Sequence, residues 1–228
     1  MFGDYSEDSQ RAIGPLVDLT MTLERYRGTP FYAAFLQLSK SNAKKRAVKR
    51  NGDCFYLSVI FLILEESHSS TEFLTDLKNT LERLNRSLEE SHVDKFVIEE
   101  FSSPIISLVA EISSGASVSF DEIDDLFWSY TSLYFRMIVS HHIKKHKEAF
   151  KNFLEEDVEV YCREQIEVPG CHTGEIEMAS LALSLELSFD VVWLEQNATS
   201  VHTKGTGRKI GSLLYTPGHF EILYRDNK

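Results

Sequence analysis

A cysteine placed directly after a short turn is the first candidate for chemistry in this sequence. Cys54 follows Asn51, Gly52 and Asp53, and it precedes ten consecutive uncharged residues, 55–64. Because this run has no charged face, it predicts a buried helix that begins at the cysteine. Unpaired N–H groups at a helix N-terminus favour a thiolate and can stabilise an oxyanion. Taken alone, however, the segment slightly favours a merely structural cysteine, since most free cysteines are small buried apolar residues.

A histidine and a carboxylate near the C-terminus form the second candidate group. His219 and Glu221 lie two residues apart in a segment with strand-like alternation, so both side chains are expected on one face. The opposite face is apolar and expected in the core: Phe220, Ile222 and Tyr224. A carboxylate bonded to one ring nitrogen leaves the other nitrogen free to take a proton from a thiol. A His-x-Glu pair alone also fits an ordinary exposed strand, but together with the cysteine it predicts nucleophilic catalysis.

The elements that must position these residues are predicted by the spacing of apolar residues. Intervals of three and four residues predict helices near residues 16–26, 31–38, 74–84, 101–112, 127–141 and 173–187. Short apolar and β-branched runs predict strands at residues 189–194, 201–203, 212–215 and 220–224. Helices first and strands later indicate an α+β protein whose sheet comes largely from C-terminal segments. With no repeat and no long linker, residues 1–228 are predicted to form a single domain.

Composition and charge restrict the class of protein. The chain has 228 residues, of which 43% are hydrophobic and 26% are charged, as in ordinary globular proteins. Its 35 acidic residues outnumber its 24 basic residues by 11, which argues against nucleic acid binding through broad phosphate neutralisation. Three cysteines cannot all pair within the chain, and no apolar run approaches the roughly 20 residues of a membrane span. Because the start lacks a signal-peptide pattern, the protein is expected to be soluble and cytoplasmic, with the nucleus as a further location.

The two candidate segments resemble the otubain family of OTU-type deubiquitinating cysteine proteases. Residues 51–56, NGDCFY, are similar to the family motif D-G-N-C-F-Y, and residues 217–224, PGHFEILY, are similar to P-G-H-Y-D/N-I-L-Y. Between them, the stretch from Cys162 to Cys171 looks like the family's C-x-x-E-V-E-P-x-C with one extra residue. The similarity covers essentially the whole chain in order and spacing.

The resemblance implies a papain-like fold, with a helical lobe packed on a mixed sheet, and hydrolysis of the isopeptide bond after ubiquitin's C-terminal glycine through a thioester. It implies that Cys54 is the nucleophile, His219 the general base and acid, and Glu221 the orienting residue. The oxyanion would be held by backbone amides of the turn: Asn51, Gly52 and Asp53. No metal or organic cofactor is implied. The expected partners are ubiquitin or polyubiquitin chains and a ubiquitin-conjugating enzyme, without nucleic acid or membrane, and the protein is expected to be a monomer.

Two departures from the family pattern lie within the candidate site. The acidic residue three positions before the cysteine is Asn51 here, and Asp53 lies directly before the cysteine, so the two residue types have exchanged places. The orienting residue, normally Asp or Asn, is the longer Glu221, and the Asn51 amide is a candidate to share its role. These changes leave open a second interpretation, a weak or inactive homologue that binds ubiquitin or a conjugating enzyme.

Other polar clusters give weaker predictions. His142 and His146 have the i, i+4 spacing of metal ligands, but without H-E-x-x-H a helix C-terminal role is favoured. Cys162 and Cys171 lack C-x-x-C spacing, so a buried thiol and a loop thiol are expected rather than a metal site. The basic residues 44–50 are interpreted as a solvated turn whose charge helps to hold a nearby thiolate.

Overall fold

Six strands form one mixed sheet in the computed structural model, which describes residues 11–41 and 43–225. In chain order the strands are β1 (Ile13–Asp18), β2 (Lys44–Val48), β3 (Leu187–Leu194), β4 (Thr199–Lys204), β5 (Arg208–Thr216) and β6 (His219–Tyr224). Their order across the sheet is β1-β2-β6-β5-β3-β4. Only β3 and β5 run parallel to each other among these neighbouring pairs.

The helices of the described residues lie mostly between β2 and β3. They are α1 (Tyr32–Ser39), α2 (Cys54–Ser69), α3 (Thr71–Glu90), α4 (Lys95–Ser113), α5 (Asp125–Lys145), α6 (Lys147–Phe150), α7 (Val158–Tyr161) and α8 (Glu175–Ser184). Short 3-10 helices span Leu19–Tyr26 and Phe120–Glu122, and one π-helical turn spans Cys162–Ile166. None of the helices among residues 11–41 and 43–225 combines the length and the apolar character that crossing a bilayer requires. The predicted α+β class is confirmed.

Two different layers cover the faces of the sheet, because successive strand residues point to opposite sides. On one face, Leu213, Phe220 and Ile222 join a large core with the long helices. On the other face, Leu214 and Leu223 join a smaller core with α1 and the preceding 3-10 helix. The side chains that alternate along β6 are therefore divided between the two cores.

Helix α2 runs through the larger core, as its uncharged sequence predicts. Residues 54–64 are all buried, and the helix packs on β5 and β6. Burying a large apolar side chain such as Phe61 contributes roughly 1.5–3 kcal/mol. A long apolar helix thus fixes Cys54, at its first residue, against the end of the sheet.

Two predictions about the N-terminal part need correction. A helix is present at Leu19–Tyr26, as a 3-10 helix, but residues 16–18 belong to strand β1, because Ile13–Asp18 pairs with β2. The basic residues interpreted as a solvated turn form strand β2, in which Lys45 is buried. Because this strand carries several charged residues, the spacing of apolar residues did not predict it.

Candidate active site

Cys54 lies beside the residue that follows the candidate histidine. The backbone N–H of Phe220 donates to Cys54 Sγ at 3.5 Å, joining positions 166 residues apart in the sequence. His219 is the first residue of β6, where it pairs with Thr216 of β5. Cys54 and His219 are 3% and 2% exposed. The fold therefore brings the two predicted segments together in a nearly covered site.

The turn before Cys54 has a backbone shape that only glycine accepts easily. Gly52 has φ +82°, and a Cβ there would lie 1.8 Å from the carbonyl oxygen of Gly170. Asn51 Oδ1 accepts a hydrogen bond from the Asp53 N–H at 3.1 Å, which closes the turn on itself. The Asn51 side chain is thus placed within its own turn rather than at the imidazole, and the Asp53 amide, predicted to hold an oxyanion, is already engaged.

Asp53 anchors the turn through an arginine that the sequence interpretation missed. Its Oδ1 accepts hydrogen bonds from Arg136 Nη2 at 2.6 Å, from Arg136 Nε at 2.9 Å and from the Gly170 N–H at 3.2 Å. Arg136 in α5 is 2% exposed, and it also donates to the carbonyls of Ile166 and Cys171 at 3.0 and 2.8 Å. One buried guanidinium therefore ties the turn before Cys54 to the loop over it. The signal in the sequence was a single arginine within the apolar pattern of residues 127–141.

Burial has the largest effect on the pKa of the Cys54 thiol. Burial raises the pKa of the Cys54 thiol above its usual value, although the N–H groups of Phe220 and Phe55 and the positive charge of Arg50 act against it. The amides act in the predicted direction, towards a thiolate, but the loss of hydration outweighs them in the net direction of the Cys54 pKa.

His219 rests as a neutral imidazole. Burial lowers its pKa to about 4, with smaller contributions from Arg50 and Lys45, while the Glu221 carboxylate acts in the opposite direction. No hydrogen bond reaches the imidazole from the described residues. A neutral imidazole can accept a proton, so this protonation state suits a general base.

Glu221 lies on the predicted face of β6 but is bonded to another residue. Its Oε2 lies 2.6 Å from Lys45 Nζ on the neighbouring strand β2, and the two side chains are 9% and 4% exposed. The resemblance implied that Glu221 orients His219; in this structure its carboxylate is held by Lys45 and acts on His219 only through its charge.

The remaining cysteines have the structural surroundings expected from the sequence. Cys162 is buried, with its Sγ 3.8 Å from the Ser140 carbonyl oxygen, and Cys171 is a partly exposed loop residue. Within residues 11–41 and 43–225 no cluster of three potential metal ligands occurs. His146 follows α5 and contacts the His142 carbonyl oxygen at 2.9 Å, in agreement with a role at the helix end.

Comparison with known proteins gives one consistent result. Residues 5–225 match the family model described as peptidase C65 otubain. The chain is 26% identical over 200 residues to the human ubiquitin thioesterase OTUB1, covering 82% of this chain and 73% of that protein. It is 21% identical over 234 residues to human OTUB2, covering 98% and 99%. Its fold matches the solved structure of h/ceOTUB1 with ubiquitin aldehyde and UBCH5B~Ub with a TM-score of 0.87 at 20% identity, covering 96% and 92% of the two chains.

Proposed function

This chain belongs to the peptidase C65 otubain family, and we propose that it is a cysteine-type deubiquitinating enzyme that hydrolyses the isopeptide bond after the C-terminal glycine of ubiquitin. The observation that carries the proposal is the hydrogen bond from the backbone N–H of Phe220, the residue after His219, to Cys54 Sγ. Among the described residues, Cys54 is also the one cysteine that begins a buried helix.

The proposed mechanism uses His219 as a general base and then as a general acid. Neutral His219 takes the proton of the Cys54 thiol as Sγ attacks the glycine carbonyl carbon. The C–N bond of the isopeptide then breaks, and His219 donates that proton to the departing lysine amine. Water activated by His219 next hydrolyses the thioester, which releases the ubiquitin carboxylate and restores the thiol. The Phe220 N–H, which donates to Cys54 Sγ, stabilises negative charge that develops on the sulfur as its proton leaves.

The shape of the site suits a glycine at the cleavage point. Cys54 is only 3% exposed, and the loop carrying Gly170 lies directly on the turn before it. A C-terminal glycine, which has no Cβ, can approach such a covered thiol more closely than any other residue. We therefore expect the extended C-terminus of ubiquitin, rather than an internal peptide loop, to be the group that enters.

The partners proposed for this chain are ubiquitin, polyubiquitin chains and a ubiquitin-conjugating enzyme. Solved structures with the same fold hold ubiquitin aldehyde together with UBCH5B~Ub or UBC13~Ub. These partners are bound by OTUB1 proteins, and the shared fold supports testing the same classes here.

A second candidate function is a non-catalytic ubiquitin-binding otubain. The observation in its favour is the bond between Glu221 and Lys45, which occupies the carboxylate expected to orient His219. A binding module would retain affinity for ubiquitin without turning over an isopeptide.

Cleavage of di-ubiquitin separates the two functions. We expect the wild-type protein to cleave, and the Cys54→Ala and His219→Ala variants to lose cleavage while binding ubiquitin and remaining folded. His172→Ala is the matched control, since this histidine lies in a loop outside β6. Binding without cleavage by the wild type, over a panel of linkages, would contradict catalysis and support the binding module.

A further inference from the structure

A buried ion pair lies beside the candidate histidine, on the face of the sheet away from α2. Lys45 of β2 pairs across the ladder with Leu223, and its Nζ reaches back to Glu221 Oε2 at 2.6 Å. Glu221 itself is opposite Leu214 of β5, which belongs to the smaller core under α1. The pair is therefore enclosed by strands and by the 3-10 helix Leu19–Tyr26, away from bulk water.

Burial explains why the Glu221 carboxylate is bonded to Lys45. A carboxylate out of water needs a strong partner, and the ammonium group of Lys45 at 2.6 Å supplies a charge-assisted hydrogen bond. His219 occupies the same face of β6, about 7 Å along the strand from Glu221, a distance that a glutamate side chain can span. Yet the described residues show no bond between the two side chains, because the carboxylate lies on Lys45.

The charged and titratable groups around Glu221 come from each neighbouring element. Lys45 approaches Glu221 from β2, Tyr26 from the 3-10 helix and His219 from β6 itself. Arg50, in the segment after β2, acts on His219 and Tyr26 through its charge. The strand β5 contributes an apolar residue opposite Glu221. Lys45 is the group in direct contact, so it controls where the carboxylate points.

We propose that Lys45 is a positioning residue that withholds the Glu221 carboxylate from His219 and so limits how well the imidazolium is stabilised during the reaction. The proposal rests on the proposed isopeptidase function. When His219 takes the thiol proton, it becomes a cation beside a carboxylate that Lys45 has already neutralised. Freeing Glu221 allows it to bond the ring and stabilise that cation.

The test replaces Lys45 and follows the His219 ring by NMR titration as well as the pH profile of kcat/KM. In Lys45→Gln and Lys45→Met we expect the His219 titration midpoint, and the acid limb of kcat/KM, to rise by about one pH unit or more, because a free carboxylate favours the protonated ring. Lys44→Gln is the matched control, since it removes the same charge from the neighbouring exposed residue of β2. Equal midpoints in the wild type and both Lys45 variants would overturn the proposal.

A double variant keeps the test decisive if a lone buried Glu221 prevents folding. Lys45→Met/Glu221→Gln removes both charges, so no carboxylate is freed and we expect its His219 midpoint to stay close to the wild-type value. A His219 midpoint that rises by about one pH unit or more in this variant as well would show that the shift does not come from a freed carboxylate, and would overturn the proposal. Failure of the wild type to cleave di-ubiquitin would count against the proposed function instead, and the NMR titration would still decide the role of Lys45.

Discussion

Asp53 Oδ1 and Arg136 Nη2 lie 2.6 Å apart, and their bond connects the residue before Cys54 to the middle of helix α5. The guanidinium also lies over the Tyr56 ring, 4.5 Å from its centroid, and donates to carbonyls of the loop that covers the turn. The turn before Cys54, the first turn of α2 and the loop that carries Gly170 therefore share one buried cation.

Loss of Arg136 is expected to lower both stability and activity. Removing one partner of a buried ion pair leaves an unpaired buried charge, so Arg136→Met should lower the free energy of unfolding by about 3–5 kcal/mol. Arg136→Lys keeps the charge but not the forked hydrogen bonds, and should recover only part of the loss. Urea unfolding and kcat/KM measure the two effects. The control is Arg163→Met, which removes an exposed pair with Glu164 and should leave the free energy of unfolding close to the wild-type value. Equal effects of Arg136→Met and Arg163→Met would contradict the assigned role.

A methyl group at Gly52 is expected to displace Cys54. Its Cβ would lie 1.8 Å from the backbone oxygen of Gly170, so either the turn or the covering loop must move. Because a misplacement of about 1 Å can cost about 100-fold in rate, Gly52→Ala should lose activity on that scale. Gly115→Ala is a matched control, since Gly115 also has a positive φ, +85°, but open space around it. Comparable kcat/KM values for the two variants would show that the close approach to Gly170 does not matter.

The alkylation rate of Cys54 should report a thiol that burial keeps protonated. Burial raises the pKa of Cys54 above its ordinary value of 9.0, so the rate of reaction with iodoacetamide should still be rising at pH 9. The rate is followed by peptide mass spectrometry, with the partly exposed Cys171 as an internal comparison. A rate that is high and constant between about pH 5 and 8 would instead indicate a resting thiolate paired with a protonated histidine.

Stability should fall with decreasing pH through the range in which His219 titrates. Its pKa is lowered from 6.5 to about 4 by burial, so between these values the unfolded chain binds more protons than the folded one. By pH 4, where the imidazole of the folded protein is half protonated, this one residue has lowered the free energy of unfolding by about 3 kcal/mol relative to neutral pH. Urea unfolding at several pH values should show a shallower slope in His219→Gln than in the wild type, while His202→Gln, an exposed histidine, should keep the wild-type slope. Parallel slopes in all three proteins would rule out His219 as a source of the pH dependence.

The parts of the site that could be predicted are those encoded by local pattern. The uncharged run after Cys54 specified a buried helix, and the alternation around His219 specified a strand with two different faces. Both elements were predicted correctly because burial leaves a direct trace in the spacing of apolar residues.

The parts that could not be predicted depend on pairs far apart in sequence. Lys45 and Glu221 are 176 positions apart, and Asp53 and Arg136 are 83 apart, so neither pairing leaves a local signal. Lys45 in particular was interpreted as solvated because a lysine is almost never fully buried unless it is paired. The resemblance implied that Glu221 orients His219, but it could not indicate that Lys45 binds the Glu221 carboxylate.

The most direct test of the central assignment is labelling by a ubiquitin probe with a C-terminal electrophile, because only a competent nucleophile forms the covalent adduct. We expect the wild type, Cys162→Ala and Cys171→Ala to gain the mass of one probe, and Cys54→Ala to remain unlabelled while still folded. Labelling that persists in Cys54→Ala and disappears in one of the other two variants would contradict Cys54 as the nucleophile.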